Sequence, residues 1–200
     1  MKQKLSKTKL ALLLTAITLV VCGIIGTTVA WLIADTAPVV NTFTYGDINI
    51  TLHETDTGLD GDGDANTNEY TMIPGKTVTK DPLVTVKADS ENSWLFVKLE
   101  KTANFDDFMT YEIADGWTAL ENTDGVYYRA VDKADTDAEF VVIKDNAVTV
   151  KETVTKQMLN ALDQNDSYPK LTVTAYAVQR DDNITTAADA WSKIPSRTNP

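Results

Sequence analysis

Short stretches of the chain alternate between apolar and polar residues with a period of two. Every second residue from Ile48 to Leu52 is apolar, and segments 83–86 and 94–99 continue the alternation. A period of two places successive side chains on opposite faces of a strand. Shorter apolar groups separated by turn-rich pieces lie between Phe105 and Val150 and predict further antiparallel strands.

One stretch is apolar on both of its faces. Leu171, Val173, Ala175 and Ala177 share one face, and Tyr176 and Val178 lie on the other. Strands covered on both faces typically lie inside a sheet. This segment is therefore predicted to be a central strand.

Two segments have helical spacing instead. The first starts within 153–155 and runs through Leu162, while the second starts at Thr185 or Thr186 and buries a face within 187–191. About eight strands and two short helices predict an all-β fold, and the size suits a jelly-roll β-sandwich.

The N-terminus predicts a secretory signal peptide over residues 1–30. A basic start with four lysines precedes an apolar run from Leu10 to Ile25 and a stretch of small residues that ends at Ala30. Cleavage is predicted between Ala30 and Trp31. The alternative is a retained membrane anchor, since the stretch from Leu10 to Ala34 could span a bilayer of roughly 30 Å.

The charge of the exported part limits its partners. The whole chain has 29 acidic and 18 basic residues, and loss of the four lysines in residues 1–30 changes the net charge from −11 to −15. Such a surface repels nucleic acid and anionic lipid. Membrane contact is therefore expected only through the signal segment before cleavage. The one cysteine, Cys22, lies in that segment, so the exported fold is expected to form without disulfides.

Several short motifs resemble a known family. They are Gly26-Thr27, Trp31 and Asp35, then Asn41, Phe43 and Gly46, then Lys80-Asp81-Pro82, and finally Ala175, Ala177, Gln179, Ala190 and Trp191. In this order they resemble the TasA/camelysin family of Gram-positive bacteria, whose signal peptides are removed by the SipW peptidase. Residues 102–164 carry none of these motifs.

The resemblance implies a jelly-roll domain over 46–200, secretion by a SipW-like signal peptidase, and assembly into biofilm matrix fibres at the cell surface. It also implies that an N-terminal arm, residues 31–45, completes the sheet of the next subunit. The residues expected to form that donor strand are Val39, Val40, Phe43 and Tyr45. The expected partners are further copies of the chain, the peptidase and a minor anchoring or accessory matrix protein.

The composition of the arm supports this mechanism independently. The arm is rich in β-branched and aromatic residues, and Asp35 is its one ionised side chain. Pairing with a neighbour would be head-to-tail and would produce a filament. Alternatively, the arm is the first strand of its own domain.

Camelysin-type relatives suggest a secreted metalloendopeptidase as an alternative function. A catalytic zinc needs about three protein ligands, but the chain has one histidine, His53, and no His-Glu-x-x-His motif. His53 falls on the polar side of its predicted strand and is expected to be solvated. No catalytic residue and no required cofactor are predicted.

An acidic loop has the spacing of a cation site. Its oxygen donors are Asp60, Asp62, Asp64, Asn66 and Glu69. Alternate oxygen donors are typical of the first half of a calcium loop, although Ala65 replaces the glycine that such loops use at their sharp turn. Calcium is therefore the one ion predicted, and a solvated acidic hairpin is the alternative.

A surface module that binds glycan or host protein is the remaining alternative. The pairs Trp94/Phe96 and Tyr127/Tyr128 could form an aromatic platform. In a β-sandwich such pairs more commonly pack in the core or across strands.

Overall fold

Ten short strands provide most of the regular structure. The computed structural model describes residues 47–59, 68–165 and 167–195. The strands are β1 (Ile50–His53), β2 (Thr77–Thr79), β3 (Leu83–Val86), β4 (Ser93–Lys101), β5 (Met109–Ile113), β6 (Thr118–Ala119), β7 (Val126–Val131), β8 (Ala138–Val141), β9 (Ile143–Val150) and β10 (Leu171–Gln179). The predicted alternation is confirmed in β1, where Ile50 and Leu52 are half-buried and Thr51 and His53 are exposed.

The described residues include three short helices beside the strands, so the prediction of two was wrong. They are α1 (Phe105–Phe108), α2 (Lys156–Asn165) and α3 (Ala187–Lys193). The predicted helices correspond to α2 and α3. The additional helix, α1, is a single turn that buries Phe105 and Phe108. Four residues are too few to show a helical period in a sequence.

All strand pairs in the described part of the chain are antiparallel, and these strands form three hydrogen-bonded sheets. Their orders are β1-β3-β8, β2-β9-β5 and β10-β4-β7-β6. The first two sheets are continuous with each other. β2 pairs with β9 in one sheet, and the next strand, β3, pairs with β8 in the other. The arrangement is consistent with an all-β sandwich whose two layers are these joined sheets and the four-stranded sheet.

The joined sheets meet at an irregularity. The Val142 amide donates to the Pro82 carbonyl, and the Lys80 amide donates to the Asn146 carbonyl. The five residues 142–146 therefore lie opposite the three residues 80–82. Asp145 and Asn146 have left-handed backbone angles in this irregularity. Such bulges bend a strand.

The core lies between the layers. Its buried centre consists of Val84, Val86, Leu95, Val97, Leu99, Val131 and Val142. The opposite face of β4 is also covered, because Phe96 is buried beneath α3 against Ala187 and Ala190. A third buried cluster gathers α1, α2 and β9 around Phe105, Val148 and Leu162.

Within the described residues, segment 171–178 is an edge strand and not the central strand that was predicted. In the described part of the chain β10 pairs with β4 on one side and lies at the edge of its sheet. Both of its faces are apolar because the core covers one and α3 covers the other. Burial of a strand's faces does not require neighbours at both of its edges.

Candidate functional site

The outer edge of β10 has backbone groups that no strand of the described ranges pairs with. β10 and β4 pair over nine residues without a register shift. The Arg180 amide donates to the Asn92 carbonyl, and the Thr102 amide donates to the Lys170 carbonyl. Because bonding alternates along an antiparallel pair, even-numbered residues of β10 bond to β4. The odd-numbered residues therefore direct their amide and carbonyl groups outward, namely Leu171, Val173, Ala175, Ala177 and Gln179.

This edge has none of the devices that normally block strand pairing. Within its nine residues β10 has no charged residue, proline, glycine or bulge. Natural edge strands are typically short, charged or bulged, which prevents edge-to-edge association. Other edges among the described residues have such protection: β6 has two residues, and β5 has Glu112 and a register shift. β10 is therefore a template for a further strand.

Packing fixes β10 on both faces. Val173 and Ala175 contact the central core, while the Tyr176 ring lies 5.6 Å from the Trp191 ring of α3. Only the edge of the strand remains open. Because the strand is already ordered, an incoming segment would meet a preformed row of hydrogen-bonding groups.

An edge strand of the facing layer lies beside β10. β1 contacts β10 and pairs with β3 alone within the described residues. Ile50 and Leu52 of β1 are half-buried against the same core as Val173. The two edges together present backbone groups and partly exposed apolar side chains to a strand that would lie along them.

The base of the acidic loop is fixed by an ion pair and hydrogen bonds. Lys80 Nζ lies 2.9 Å from both Glu54 carboxylate oxygens, and the two side chains are only 12% and 13% exposed. The Thr57 amide donates to Asn68 Oδ1 at 2.8 Å, and the Thr57 hydroxyl donates to the Glu69 carbonyl. The loop therefore leaves the domain from a closed base.

Two titratable groups at this base have shifted pKa values. Burial, with smaller contributions from the carboxylates of Glu54 and Asp81, raises the pKa of Tyr70 to about 12. Burial opposes ionisation of Asp81, but hydrogen bonds from the Thr55 hydroxyl and amide outweigh burial and lower the pKa of Asp81.

The structure describes only one of the five residues predicted to bind a cation. Asp60, Asp62, Asp64 and Asn66 lie outside the described residues, and Glu69 is exposed at the base of the loop. His53 is exposed at the end of β1. Among the described residues there is no group of three or more histidine, cysteine, aspartate or glutamate side chains that could hold a metal ion.

The residues predicted for processing and strand donation also lie outside the described part. They are Ala30 and Trp31 at the cleavage site and Val39, Val40, Phe43 and Tyr45 in the arm. The sequence pattern did not indicate the open edge of β10, because apolar residues on both faces favoured a central strand. A usable signal was present: nine uncharged residues end abruptly at Lys170 on one side and Arg180 on the other.

The aromatic pairs proposed as a glycan platform pack within the fold. Phe96 is buried, and the Trp94 ring lies 5.8 Å from the Tyr128 ring. Tyr127 packs on the central core and Tyr128 on the cluster beneath α3, so these neighbours lie on opposite faces of β7. They cannot form one flat surface.

A scan against protein-family models and searches among curated proteins and solved structures gave no match. None of the helices in the described ranges is both long and apolar enough to cross a membrane.

Proposed function

We propose that the chain is a secreted structural subunit of extracellular matrix fibres. In this proposal residues 31–45 of one subunit pair with the β10 edge of the next. The single observation that carries it is the uncharged and uninterrupted outer edge of β10. The family resemblance adds the cell-surface location, the SipW-like processing and a minor anchoring partner to the proposal.

The lengths of the two segments fit each other. Pro38 has no amide hydrogen, so regular pairing of the arm can begin at Val39. The segment from Val39 through Tyr45 has seven residues and is uncharged, and β10 has nine. Phe43 and Tyr45 are two apart, so on a strand they would lie on one face and could cover the gap between β10 and β1.

A jelly-roll connectivity is part of the proposal. Strands far apart in sequence are neighbours in both layers, as in β4 with β10 and β2–β3 with β8–β9. Such long-range antiparallel neighbours are typical of Greek-key sandwiches, of which the jelly roll is one.

The donor arm is tested by comparing a chain that begins at Trp31 with one that begins at Gly46. Filament growth over hours is followed by sedimentation and electron microscopy. We expect filaments only from the longer chain, because it alone carries the arm. Equal growth of both chains would exclude the arm as the donor. Absence of growth in both would contradict filament formation by strand donation.

The accepting edge is tested with a matched pair of variants. Thr172 on β10 and Thr118 on β6 are exposed threonines on the two outer strands of one sheet. Thr172→Lys places a charge where an added strand must pack, and Thr118→Lys does so at the opposite edge. We expect Thr172→Lys to slow filament growth at least about ten-fold and Thr118→Lys to leave it unchanged.

A backbone variant separates hydrogen bonding from charge. The Ala175 amide points away from β4, so Ala175→Pro removes an outward donor and preserves the bonds to β4. Near-ultraviolet circular dichroism reports whether this variant folds. A folded Ala175→Pro variant that still forms filaments at the wild-type rate would exclude pairing along β10.

Export is tested separately. We expect the full chain, produced in a Gram-positive secretion host, to be recovered from the medium with Trp31 as its first residue. Recovery with the membrane fraction at full length would favour the retained anchor.

The proposed role is not catalytic, and peptidase activity that a chelator abolishes would contradict it.

Calcium binding by the acidic loop stays a prediction. The closed base at Glu54–Lys80 and Thr57–Asn68 holds the two ends of the loop near each other, which lowers the entropy cost of wrapping an ion. We expect calorimetry to show weaker calcium binding by Asp62→Asn than by wild type. If the wild type shows no heat of binding at millimolar calcium, the alternative of a solvated acidic hairpin is favoured.

A further inference from the structure

Arg129 directs a charged side chain toward the core. It lies on β7 directly opposite Leu95 of β4, which is buried in the central cluster. Opposite residues of an antiparallel pair project from the same face of the sheet. The guanidinium group therefore lies between the layers and is half-buried.

Two aromatic rings hold the guanidinium group. Its central carbon is 4.0 Å from the centre of the Phe140 ring and 5.4 Å from that of Trp117. The two rings are nearly perpendicular, with their centres 6.5 Å apart. Trp117 is itself fixed, because its indole nitrogen donates to the Val141 carbonyl at 2.8 Å. Contacts of this kind stabilise a cation but satisfy none of its hydrogen-bond donors.

No protein group in the described ranges neutralises Arg129. Its Nε atom is buried without a hydrogen-bond partner, and no described carboxylate lies within ion-pair distance. Burial is the one cause that lowers the pKa of Arg129. By contrast, Arg180 pairs with Asp132. A cation that is partly withdrawn from water and has no partner is less favourable than one that an anion joins.

The Arg129 side chain is only partly covered. Gly116 has a φ of +85°, and a side chain there would begin 3.0 Å from Arg129 Nη2. Glycine at this position allows the backbone to approach the guanidinium group closely. Val141, whose carbonyl fixes Trp117, is 40% exposed, so the surroundings reach the surface.

We propose that Arg129 is a binding site for a carboxylate group. The guanidinium fork matches the two oxygens of a carboxylate, which accept parallel hydrogen bonds. One positive charge balances one carboxylate. A phosphate dianion would retain excess negative charge in a chain with 29 acidic and 18 basic residues. The carboxylate is supplied either by a small free acid or by an acidic side chain of a second copy.

The site is tested by nuclear magnetic resonance of arginine Nε–H groups. The full chain has three arginines, so the spectrum is simple, and Arg129→Lys identifies the signal of interest. The chain is produced in a secretion host, and sodium acetate replaces sodium chloride at constant ionic strength. We expect a saturable shift of the Arg129 signal, with a midpoint on the order of 10 mM, and no saturable shift of Arg180.

Two results would overturn the proposal. One is an Arg129 signal that acetate moves no more than the Arg180 signal. The other is tighter binding of inorganic phosphate than of acetate, which would contradict the preference for a single charge. Near-ultraviolet circular dichroism of Arg129→Lys confirms that lost binding is not lost folding.

Sedimentation separates the two sources of the carboxylate once acetate binding is established. If a second copy supplies it, acetate and Arg129→Lys both weaken self-association, while Arg180→Lys does not. If neither changes self-association, the ligand is a free acid. The acetate site does not depend on the fibre proposal, since a monomer without the donor arm would still bind.

Discussion

Gly125 shows how one residue's backbone is constrained by a neighbouring strand. Its φ is +71°, and an added Cβ would lie 2.4 Å from the Leu99 carbonyl oxygen. The amide of Leu99 also donates to the Gly125 carbonyl at 2.8 Å. The chain at Gly125 therefore cannot move away from β4 without losing this hydrogen bond. The position requires glycine for both conformation and space.

The first prediction compares two glycines with similar backbone angles. Gly125→Ala and Gly58→Ala both place alanine in the left-handed region, which costs about 1 kcal/mol. Gly58 has no atom within 4 Å of an added Cβ, so only Gly125→Ala adds a clash. We expect urea unfolding to show a loss of about 3 kcal/mol or more for Gly125→Ala and about 1 kcal/mol for Gly58→Ala. Equal losses would contradict the close contact.

The second prediction concerns acid and Asp81. Burial disfavours its ionised form, but the Thr55 hydrogen bonds prevail, so its pKa in the folded state lies below the unfolded value of 3.8. The ionised carboxylate therefore stabilises the fold above pH 3.8, and this contribution is lost as the pH falls through the folded-state pKa.

Unfolding free energies of wild type and Asp81→Asn, measured from pH 7 to pH 2.5, test this. We expect the variant to be less stable at pH 7 and the difference to shrink below about pH 3.8. Thr55→Val, which removes the hydroxyl donor, should reduce the same pH-dependent difference. A difference that stays constant with pH would show that Asp81 acts through packing alone.

At the scale of elements, α3 depends on Thr186, the N-cap residue that precedes it. The Thr186 hydroxyl accepts from the Asp189 amide at 3.1 Å and donates to the Asp189 carboxylate at 2.6 Å. Such caps satisfy amides at the helix start that have no partner within the helix. Because α3 covers Phe96 and Tyr176, its stability is connected to that of the sheet beneath it.

The third prediction uses the neighbouring threonine as a control. Thr186→Ala should lower the free energy of unfolding by about 1 kcal/mol. Thr185→Ala should change it by less than about 0.5 kcal/mol, because Thr185 is exposed and precedes the cap. Thermal unfolding of both variants is sufficient to compare them. An equal effect of the two substitutions would show that the cap does not stabilise α3.

Local signals explain which elements could be predicted. The caps and helical spacing of α2 and α3, and the alternation in β1 and β4, depend on neighbours a few residues away. α1 escaped prediction because it is one turn held by the burial of Phe105 and Phe108. Its stability comes from α2 and β9, which are distant in sequence.

At the scale of the whole molecule, the net charge opposes the proposed assembly. Residues 31–200 have a formal net charge of −15, so two subunits repel each other at low ionic strength. Salt screens this repulsion, since the Debye length falls from about 30 Å at 10 mM to about 8 Å at 150 mM. Strand pairing along β10 involves no charged residue and is little affected by the same change.

The fourth prediction is therefore that salt accelerates filament growth. Between about 10 and 150 mM sodium chloride, we expect the rate to rise several-fold, measured by light scattering on the chain that begins at Trp31. Sodium sulphate at matched ionic strength serves as a control for effects of the anion. Slower growth with added salt would indicate that attraction between opposite charges drives association.

The sequence by itself determined the all-β character, two of the three helices in the described ranges and the negative charge, because periodicity, caps and composition are local or additive properties. Only the tertiary structure decided that β10 is an edge strand and that Arg129 lies unpaired between Trp117 and Phe140. Pairing partners of strands and neighbours across a core are chosen among residues far apart in the chain. A period of two shows which faces are covered, but it carries no information about which strand, if any, lies at each edge.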